Sequence, residues 1–463
     1  MGHGLYKVHY FLIGIGIVLL PILASFGMHS STNNLFGGMG KDASFYPIFL
    51  GIVIWACQII FFRIKVYVPA DRSAFFLFMF IIAIFLSAMW NIDSISTYTF
   101  VGKSSWGRYA TQSCAILLYV IGALYFYNFF KVFKGDRLSF FFHCIFISFL
   151  VTGLYSFFEI TAMFNAYSRD VVGAIDFLLR GDEAFSFYGY RLRSLALEAS
   201  LFGTYMSVAF PILVYFSVKE KRSSIYTILL LYGVVMLIMT LSRNAYFICL
   251  AECVFLFAMY RKEVRDYYWK QILFILVGVI ILLFCVVTLF DDFMFAFDIG
   301  DVLPSLFKED AGSRDTSNLT RLGSMVGALN IFMDHPFFGI GWGLGSYHLN
   351  DFYPSWAWLS WEVSVAFINA PIIFGTYPRI LAELGLFGFV GWVGCWFSVL
   401  YGLWQRSIGA ESHREWRILF ISLVGVLLSG FNMDIFHFWM YWLLLGFFWA
   451  GKESASVVAF HIR

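Results

Sequence analysis

Charged residues are scarce in this chain of 463 residues: they make up 13% of it, whereas hydrophobic residues make up 60% and aromatic residues 21%. A soluble domain needs a polar outer surface to satisfy water, so this composition excludes an ordinary soluble protein. Long apolar runs take the place of the missing charge, and their lengths suit helices that cross a bilayer. The composition therefore indicates an all-α polytopic membrane protein.

Cysteine is also sparse, and all seven cysteines fall inside apolar segments, where no outward loop pairs them as disulfides. Cys249 and Cys253 are one helical turn apart, but two thiols without a His or carboxylate cluster favour helix packing over a metal site. We predict no disulfide, no metal and no cofactor. The first apolar run lacks the small-residue cleavage site of a signal peptide and contains Pro21, so we expect it to be a retained span.

Twelve apolar segments are candidate transmembrane helices. Basic residues concentrate in the short loops on one side of these spans, which predicts that this side and both termini are cytoplasmic. Two long outer loops, at 163–196 and 291–376, then belong to a single integral membrane domain of residues 1–463. The twelve segments lie near 9–28, 45–62, 74–90, 110–130, 138–162, 197–218, 225–241, 244–260, 271–290, 377–404, 417–432 and 438–451.

Arginine is enriched among the basic residues of the outer side, and most of these arginines lie in or beside the two long loops. The planar guanidinium grips phosphate oxygens in a bidentate way, so the outer face is predicted to hold an anion. In the large loop, carboxylates outnumber Lys308, Arg314 and Arg321. This excess argues against nucleic acid and against nonspecific binding of anionic lipid, which both need a diffuse positive field.

The large loop also shows local order. Its apolar spacing from Asn318 to Met333 predicts an amphipathic helix along the membrane surface, with Arg321 near the first turn. His335-Pro336 ends that helix, because proline cannot continue the hydrogen-bond ladder. The glycine run Gly339–Gly345 follows no strand and opens no βαβ unit, so we interpret it as a tight turn packed on a neighbouring helix rather than a nucleotide site.

Two other segments carry candidate functional charges. Arg243 lies between two apolar runs with almost no loop, where a charge is costly unless it faces a cavity or a partner, so we favour function over simple snorkelling. Arg191 and Arg193 precede Glu198, which lies at the start of a helix. This segment is either a phosphate clamp with a base or a helix cap, since a carboxylate is favourable at the positive end of a helix.

Four elements together resemble the O-antigen ligase and polymerase superfamily, over roughly residues 190 to 450. They are Ser242-Arg243, Arg321 to Met325, His335-Pro336 with Gly339-x-Gly341, and Leu381-Ala-Glu383-Leu-Gly385-Leu-Phe-Gly388. The resemblance implies a GT-C-like, metal-independent glycosyltransferase of the bacterial inner membrane, which uses undecaprenyl-pyrophosphate-linked sugars at its periplasmic face. It also implies that Arg243 and Arg321 are the essential arginines.

Two features favour a Wzy-type polymerase over a ligase. The segment from Arg191 to Gly203 resembles the Ser-Leu-x-x-Glu-x-Ser-x-Phe-Gly element of such polymerases. Ligases normally have a His eight residues before the glycine that here is Gly385, whereas this chain has Tyr377, and a tyrosine with a reference pKa of about 10 is a poor base at neutral pH. Tyr377 is then expected to orient an acceptor sugar, and Glu198 becomes the leading base candidate.

The predicted reaction transfers a growing glycan from undecaprenyl pyrophosphate to the sugar hydroxyl of an incoming lipid-linked repeat unit. The predicted catalytic residues are Glu198, Arg321 and Arg243, and the predicted substrate-binding residues are Arg191, Arg193, Arg314, Tyr377, His335 and Arg379. Weaker base candidates are His348, Asp351, Glu362 and Glu383.

The partners expected from this prediction are the lipid bilayer and undecaprenyl-pyrophosphate-linked oligosaccharides, with a chain-length regulator as a further candidate. One alternative is an O-antigen ligase that moves finished glycan to the lipid A-core. A second alternative is a transporter of lipid-linked oligosaccharides. Transporters tend to carry charges near the membrane midplane, whereas the charges here cluster at one face, so transport is disfavoured.

Overall fold

The structure is a computed structural model that describes residues 3–23, 37–97, 99–100, 102–180, 191–219, 224–263, 316–369, 371–408, 414–434 and 436–451. Nearly all the ordered elements in these ranges are helices. One short antiparallel hairpin, β1 (Thr99–Phe100) with β2 (Lys103–Ser104), accompanies them. The predicted all-α polytopic membrane fold is confirmed.

The helices are α1 (His3–Val18), α2 (Phe45–Phe62), α3 (Arg72–Trp90), α4 (Ile92–Thr97), α5 (Ser105–Lys131), α6 (Arg137–Ala162), α7 (Ala166–Arg180), α8 (Ala199–Lys219), α9 (Ser224–Met239), α10 (Arg243–Glu263), α11 (Thr316–Asp334), α12 (Gly345–Phe352), α13 (Thr376–Ser407), α14 (Arg414–Ser429) and α15 (Trp439–Ala450). Short 3-10 turns lie at Gly37–Lys41 and Ser355–Leu359, and a π-helical turn lies at Glu362–Ala366.

Seven of the described helices are long and apolar enough to cross a membrane, and three shorter apolar segments accompany them at Tyr6–Val18, Ser224–Met239 and Trp439–Ala450. Helices suit these runs because each bonds its backbone N–H and C=O groups internally, as the bilayer interior requires. Eleven of the twelve predicted segments overlap described helices, whereas 271–290 lies outside the described residues. The count of twelve spans therefore stays a prediction.

Both long loops contain helices where they are described. The amphipathic helix predicted from Asn318 to Met333 is α11, which ends at Asp334, directly before His335-Pro336; its position along a membrane surface stays a prediction. The loop at 163–196 contains α7, which the sequence analysis did not predict. Residues 181–190 and 291–315 lie outside the described residues.

An aromatic cluster joins four parts of the chain beneath the large loop. Phe80 of α3 lies 5.8 Å from Trp342 of the glycine run and 5.2 Å from Trp392 of α13, between ring centroids. Phe436 contacts both tryptophans, at 5.1 Å and 4.7 Å. Phe436 belongs to the segment 430–438 between α14 and α15, called the connector below. Packing of this size fixes the connector and the glycine run against the bundle.

Helix α13 is broken at Gly385, which has a φ of 64° and a ψ of −161°. The chain that follows α11 pairs with the break on both sides. Ile340 N donates to Ala382 O at 3.1 Å, and Leu386 N donates to Pro336 O at 2.7 Å. Backbone groups that the break frees from the helix are thus bonded by protein, which is the condition for irregular backbone in an apolar bundle.

Glycine is required where the two segments touch. Gly339 has a φ of 62°, and a side chain there would collide with the backbone of Glu383. At Gly385 a side chain would collide with the backbone of Phe337. The interpretation of the glycine run as a turn packed on a neighbouring helix is therefore confirmed, and this contact is called the interlock.

We expect Gly339→Ala to destabilise the protein strongly, because it combines an unfavourable positive φ with a backbone collision. Gly102→Ala is the matched control, since Gly102 has a φ of 71° and nothing within 4 Å of an added Cβ. The control should lose about 1–2 kcal/mol from the positive φ alone, and Gly339→Ala clearly more. Thermal unfolding of both variants in detergent measures the difference, and equal losses would contradict the interlock.

Candidate active site

Several of the predicted site residues lie at one end of the bundle, where α5, α8, α10 and α13 begin; this end is called the loop face. Thr204 of α8 donates to Met433 Sδ at 3.7 Å, and Thr376 N donates to Met433 O at 3.1 Å. Leu192 N donates to Met239 O at 2.7 Å, which brings the segment 191–198 beside the start of α10. The connector therefore bonds both α8 and the start of α13 at this face.

Arg321 lies in the second turn of α11 and reaches the connector. Its Nη1 donates to the carbonyl oxygen of Asn432 at 3.3 Å, and its guanidinium carbon lies 5.0 Å from the centre of the Phe374 ring. Its Nη2 lies 3.7 Å from Oε2 of Glu198. The side chain is 20% exposed, so solvent reaches part of it.

Glu198 directly precedes α8 and is 49% exposed. Its Oε2, the oxygen nearest Arg321, also accepts a hydrogen bond from Ser200 Oγ at 3.1 Å. Its backbone carbonyl accepts from Phe202 N at 3.1 Å, as the residue before a helix does. Two of the three predicted catalytic residues, Glu198 and Arg321, thus form one partly exposed ion pair.

Arg243 and Arg191 lie on either side of the turn that starts α10. Arg243 is the first residue of that helix and is exposed, and the preceding Ser242 Oγ accepts from Ala245 N at 3.5 Å. Arg191 is exposed as well, and its Nε donates to Thr240 O at 3.4 Å. The structure therefore places both guanidinium groups at the loop face, on the segments that flank Glu198 and α10.

Arg193 is placed differently from Arg191, although only one residue separates them. Its Nη2 donates to Asp176 Oδ2 of α7 at 2.8 Å, and the side chain is 10% exposed. The backbone N–H groups of Arg193 and Ser194 donate to the carboxylate of Glu159 at 3.1 and 2.8 Å. Arg193 therefore fixes its loop to α6 and α7 rather than presenting its charge to solvent.

The other predicted substrate-binding residues are spread over the large loop. Tyr377 donates its hydroxyl to Leu427 O at 2.8 Å, and its ring lies 4.6 Å from Phe431. His335 is exposed at the far end of α11, about 20 Å along the helix from Arg321 at 1.5 Å per residue. Arg314 lies outside the described residues. The structure does not bring His335 to Arg321.

Arg379 is the centre of a buried polar cluster. Its Nε donates to Glu383 Oε2 at 3.1 Å, its Nη1 donates to Asp434 Oδ2, and its Nη2 donates to Gln112 Oε1 at 3.0 Å. The guanidinium carbon lies 4.8 Å from the Trp342 ring, and the side chain is 8% exposed. With each of its three nitrogens bonded to a side chain, Arg379 joins α13, α5 and the connector rather than standing open to a ligand.

Glu383 connects this cluster to the interlock. Its two carboxylate oxygens accept backbone N–H groups of Gly343 at 2.8 Å and Gly345 at 3.1 Å, besides the bond from Arg379. Both oxygens of this buried carboxylate are already occupied by donors of the protein, so it is poorly placed to reach an acceptor hydroxyl as a base. Glu383 is therefore better explained as a structural anchor of the glycine run.

Three residues of this cluster were not predicted from the sequence: Gln112, Asp434 and His437. Burial lowers the pKa of His437; the charge of Asp434 opposes that shift, and the charges of Arg379 and Arg108 add to it. Asp434 stands between two apolar runs, and a lone carboxylate there is itself a signal of an internal partner. That signal was present in the sequence, whereas the identity of the partner was not.

We expect Arg379→Gln to lower stability by about 3–5 kcal/mol, because removing one partner leaves two carboxylates without their cation in a buried site. Arg379→Lys is the conservative control, because it keeps the charge but loses the fork that bonds three side chains. Its stability should lie between that of Arg379→Gln and that of wild type. Thermal unfolding in detergent measures both. A wild-type unfolding temperature for Arg379→Gln would show that the cluster does not hold the connector.

Comparison with known families adds to this geometry. Residues 228–393 match the family model described as O-antigen ligase. The matched segment contains Arg243, Arg321, Tyr377, Arg379 and the interlock, whereas Glu198 and Asp434 lie outside it. The chain matches no curated protein. Over this segment the chain is similar to the O-antigen ligase family, and this similarity supports the resemblance to the O-antigen ligase and polymerase superfamily.

Proposed function

We propose that the protein is a polysaccharide polymerase, which transfers a growing glycan from undecaprenyl pyrophosphate to the sugar hydroxyl of an incoming lipid-linked repeat unit. The family match supports glycosyl transfer of the O-antigen ligase or polymerase type. The observation that carries the proposal is the Arg321–Glu198 pair: a guanidinium and a carboxylate meet at 3.7 Å, both partly exposed. These are the two groups that such a transfer needs.

Arginine supplies the stabilisation of the leaving group. When the bond between the sugar C1 and the pyrophosphate oxygen breaks, negative charge grows on the pyrophosphate. Arg321 is held by Asn432 O and the Phe374 ring, so its guanidinium is oriented before the substrate arrives, and an oriented charge stabilises the transition state without reorganisation. Arg191 and Arg243, exposed on the same face, provide further guanidinium groups for the phosphates.

Glu198 supplies the base. The acceptor hydroxyl attacks C1 of the donor sugar, the carboxylate takes the hydroxyl proton, and the electron pair of the breaking C1–O bond leaves with the pyrophosphate. Ser200 Oγ orients the carboxylate through its 3.1 Å hydrogen bond. A positioned carboxylate acting in this way is ordinary general base catalysis. The proposal requires no metal and no other cofactor.

The environment of Tyr377 favours polymerase over ligase. Ligases of this superfamily normally have a His at this position, and here the phenol hydroxyl is bonded to the carbonyl of Leu427 while the ring packs on Phe431. A phenol used in this way is not free to activate an acceptor. Glu198 is thus the better base, and the acceptor it would serve is the repeat unit on its own lipid carrier.

We place the loop face on the periplasmic side of the bacterial inner membrane, because the basic residues concentrate in the short loops at the opposite end. Lipid tails then reach the site sideways from the bilayer. Large apolar side chains such as Phe78, Phe85 and Phe397 are exposed on α3 and α13 and suit a lipid-facing surface.

The polymerase and ligase alternatives make different products from the same donor. The full-length protein in nanodiscs, given only undecaprenyl-pyrophosphate-linked repeat units, should form a ladder of longer lipid-linked glycans. A ligase requires lipid A-core and joins glycan to it. Product that forms only when lipid A-core is supplied would overturn the polymerase proposal while leaving the pyrophosphate donor in place.

We expect Arg321→Ala to lower the rate of polymer formation by at least about tenfold, because loss of one oriented charge from an electrostatic site costs a few kcal/mol of transition-state stabilisation. Arg321→Lys should recover only part of the rate, since Lys lacks the bidentate fork. Rates are measured from ladder formation at equal amounts of folded protein.

Arg406→Ala is the matched control for Arg321→Ala. Arg406 also donates to a backbone carbonyl, Phe448 O at 3.3 Å, and lies 4.8 Å from an aromatic ring, but it stands at the opposite end of α13. It should slow the reaction only as far as it lowers the amount of folded protein. Normal polymer from Arg321→Ala at normal abundance would remove Arg321 from the mechanism.

A further inference from the structure

The contact between Arg321 and Glu198 is long and partly exposed, as expected where another anion can replace Glu198 as the partner of Arg321. Charge-assisted hydrogen bonds between nitrogen and a carboxylate are usually about 2.7–2.9 Å long, whereas Nη2 of Arg321 and Oε2 of Glu198 are 3.7 Å apart. With 20% and 49% exposure, both side chains are also reached by water, which screens their attraction. The pair is therefore weak and can exchange one anion for another.

The two sides of the pair are anchored separately. Arg321 keeps its bond to Asn432 O and its contact with Phe374 when Glu198 moves away. Glu198 keeps its hydrogen bond from Ser200 Oγ when Arg321 is taken by another anion. Separation of the two groups thus leaves each in place, and no other described contact of either side chain has to break.

A pyrophosphate is a stronger ligand for Arg321 than a carboxylate. It carries more negative charge and offers oxygens at the spacing of the guanidinium fork. Oε2 of Glu198 is the oxygen that lies nearest Arg321 and also accepts from Ser200 Oγ, so departure of Arg321 leaves this oxygen open to another donor. Replacement of Glu198 by pyrophosphate would therefore change the state of both catalytic groups in one step.

We infer that the Glu198–Arg321 ion pair is a latch that the donor pyrophosphate opens: the phosphate takes Arg321, and Glu198 is released as the base for the acceptor. This inference rests on the proposed function and adds an order of events to it. The base becomes active only after the donor is bound, so an acceptor that arrives first meets a carboxylate still paired with Arg321.

If the pair is a latch, one substitution should strengthen the binding of pyrophosphate and at the same time slow polymer formation. Glu198→Gln removes the anion that competes for Arg321, so pyrophosphate should bind about two- to fivefold more tightly, the range that corresponds to an exposed ion pair. The same variant lacks the base, so polymer formation should fall. A base without a latch would lower the rate and leave binding unchanged, and a purely structural Glu198 would weaken both.

The binding experiment uses the full-length protein in detergent, with inorganic pyrophosphate and a short-chain prenyl pyrophosphate as probes in calorimetric titrations. Asp170→Asn is the control for a general change in charge, because Asp170 is exposed on α7 and its substitution removes the same single negative charge. The dissociation constant of this variant for pyrophosphate should equal that of wild type. Glu198→Asp, which withdraws the carboxylate by one methylene, should also bind more tightly.

The outcomes separate the latch from the proposed function. Unchanged or weaker binding by Glu198→Gln and Glu198→Asp, together with loss of binding by Arg321→Ala, would overturn the latch and leave the donor site standing. Wild-type binding by Arg321→Ala would overturn the donor site and the latch with it. Equal tightening by Asp170→Asn would show a general effect of charge and would likewise reject the latch.

Discussion

The break in α13 at Gly385 is the constraint on which the rest of the structure depends. A helix interrupted inside an apolar bundle leaves backbone groups that protein must bond, and the chain from Pro336 to Gly341 supplies the partners. The two backbone segments approach so closely that each needs a glycine at the contact. Glu383, inside the broken turn, is thereby held where it meets both the glycine run and Arg379.

The connector links this interlock to the candidate active site. Arg379 bonds Asp434, and two residues earlier the carbonyl of Asn432 receives Arg321. Thr376 at the start of α13 bonds the same stretch of backbone. The partly exposed guanidinium of Arg321 therefore bonds to a segment that the buried guanidinium of Arg379 holds in place. A static support of this kind keeps the charge oriented towards the substrate, as electrostatic catalysis requires.

Local signals in the sequence predicted local structure. Hydropathy located the apolar helices, and Pro336 marked the end of α11, because both effects depend on neighbouring residues alone. The sequence could not distinguish Arg191 from Arg193, since the difference comes from Asp176 on a helix that was not predicted. It could not assign Arg379 either, because Gln112 is 267 residues away in the chain and only the fold brings the two together.

The two arginine clusters differ in a way that determines which of them can act on a substrate. Arg379 is 8% exposed and bonded to three side chains, and separation of a buried pair costs about 3–5 kcal/mol, so a ligand would have to repay that loss before it bound. Arg321 shares a long, partly exposed ion pair with Glu198, and ion pairs that water reaches contribute only about 0–1 kcal/mol. Exchange of one anion for another therefore costs little free energy at Arg321 and much more at Arg379. A reaction that begins with binding of an anion is favoured at Arg321, the residue with the weaker pair.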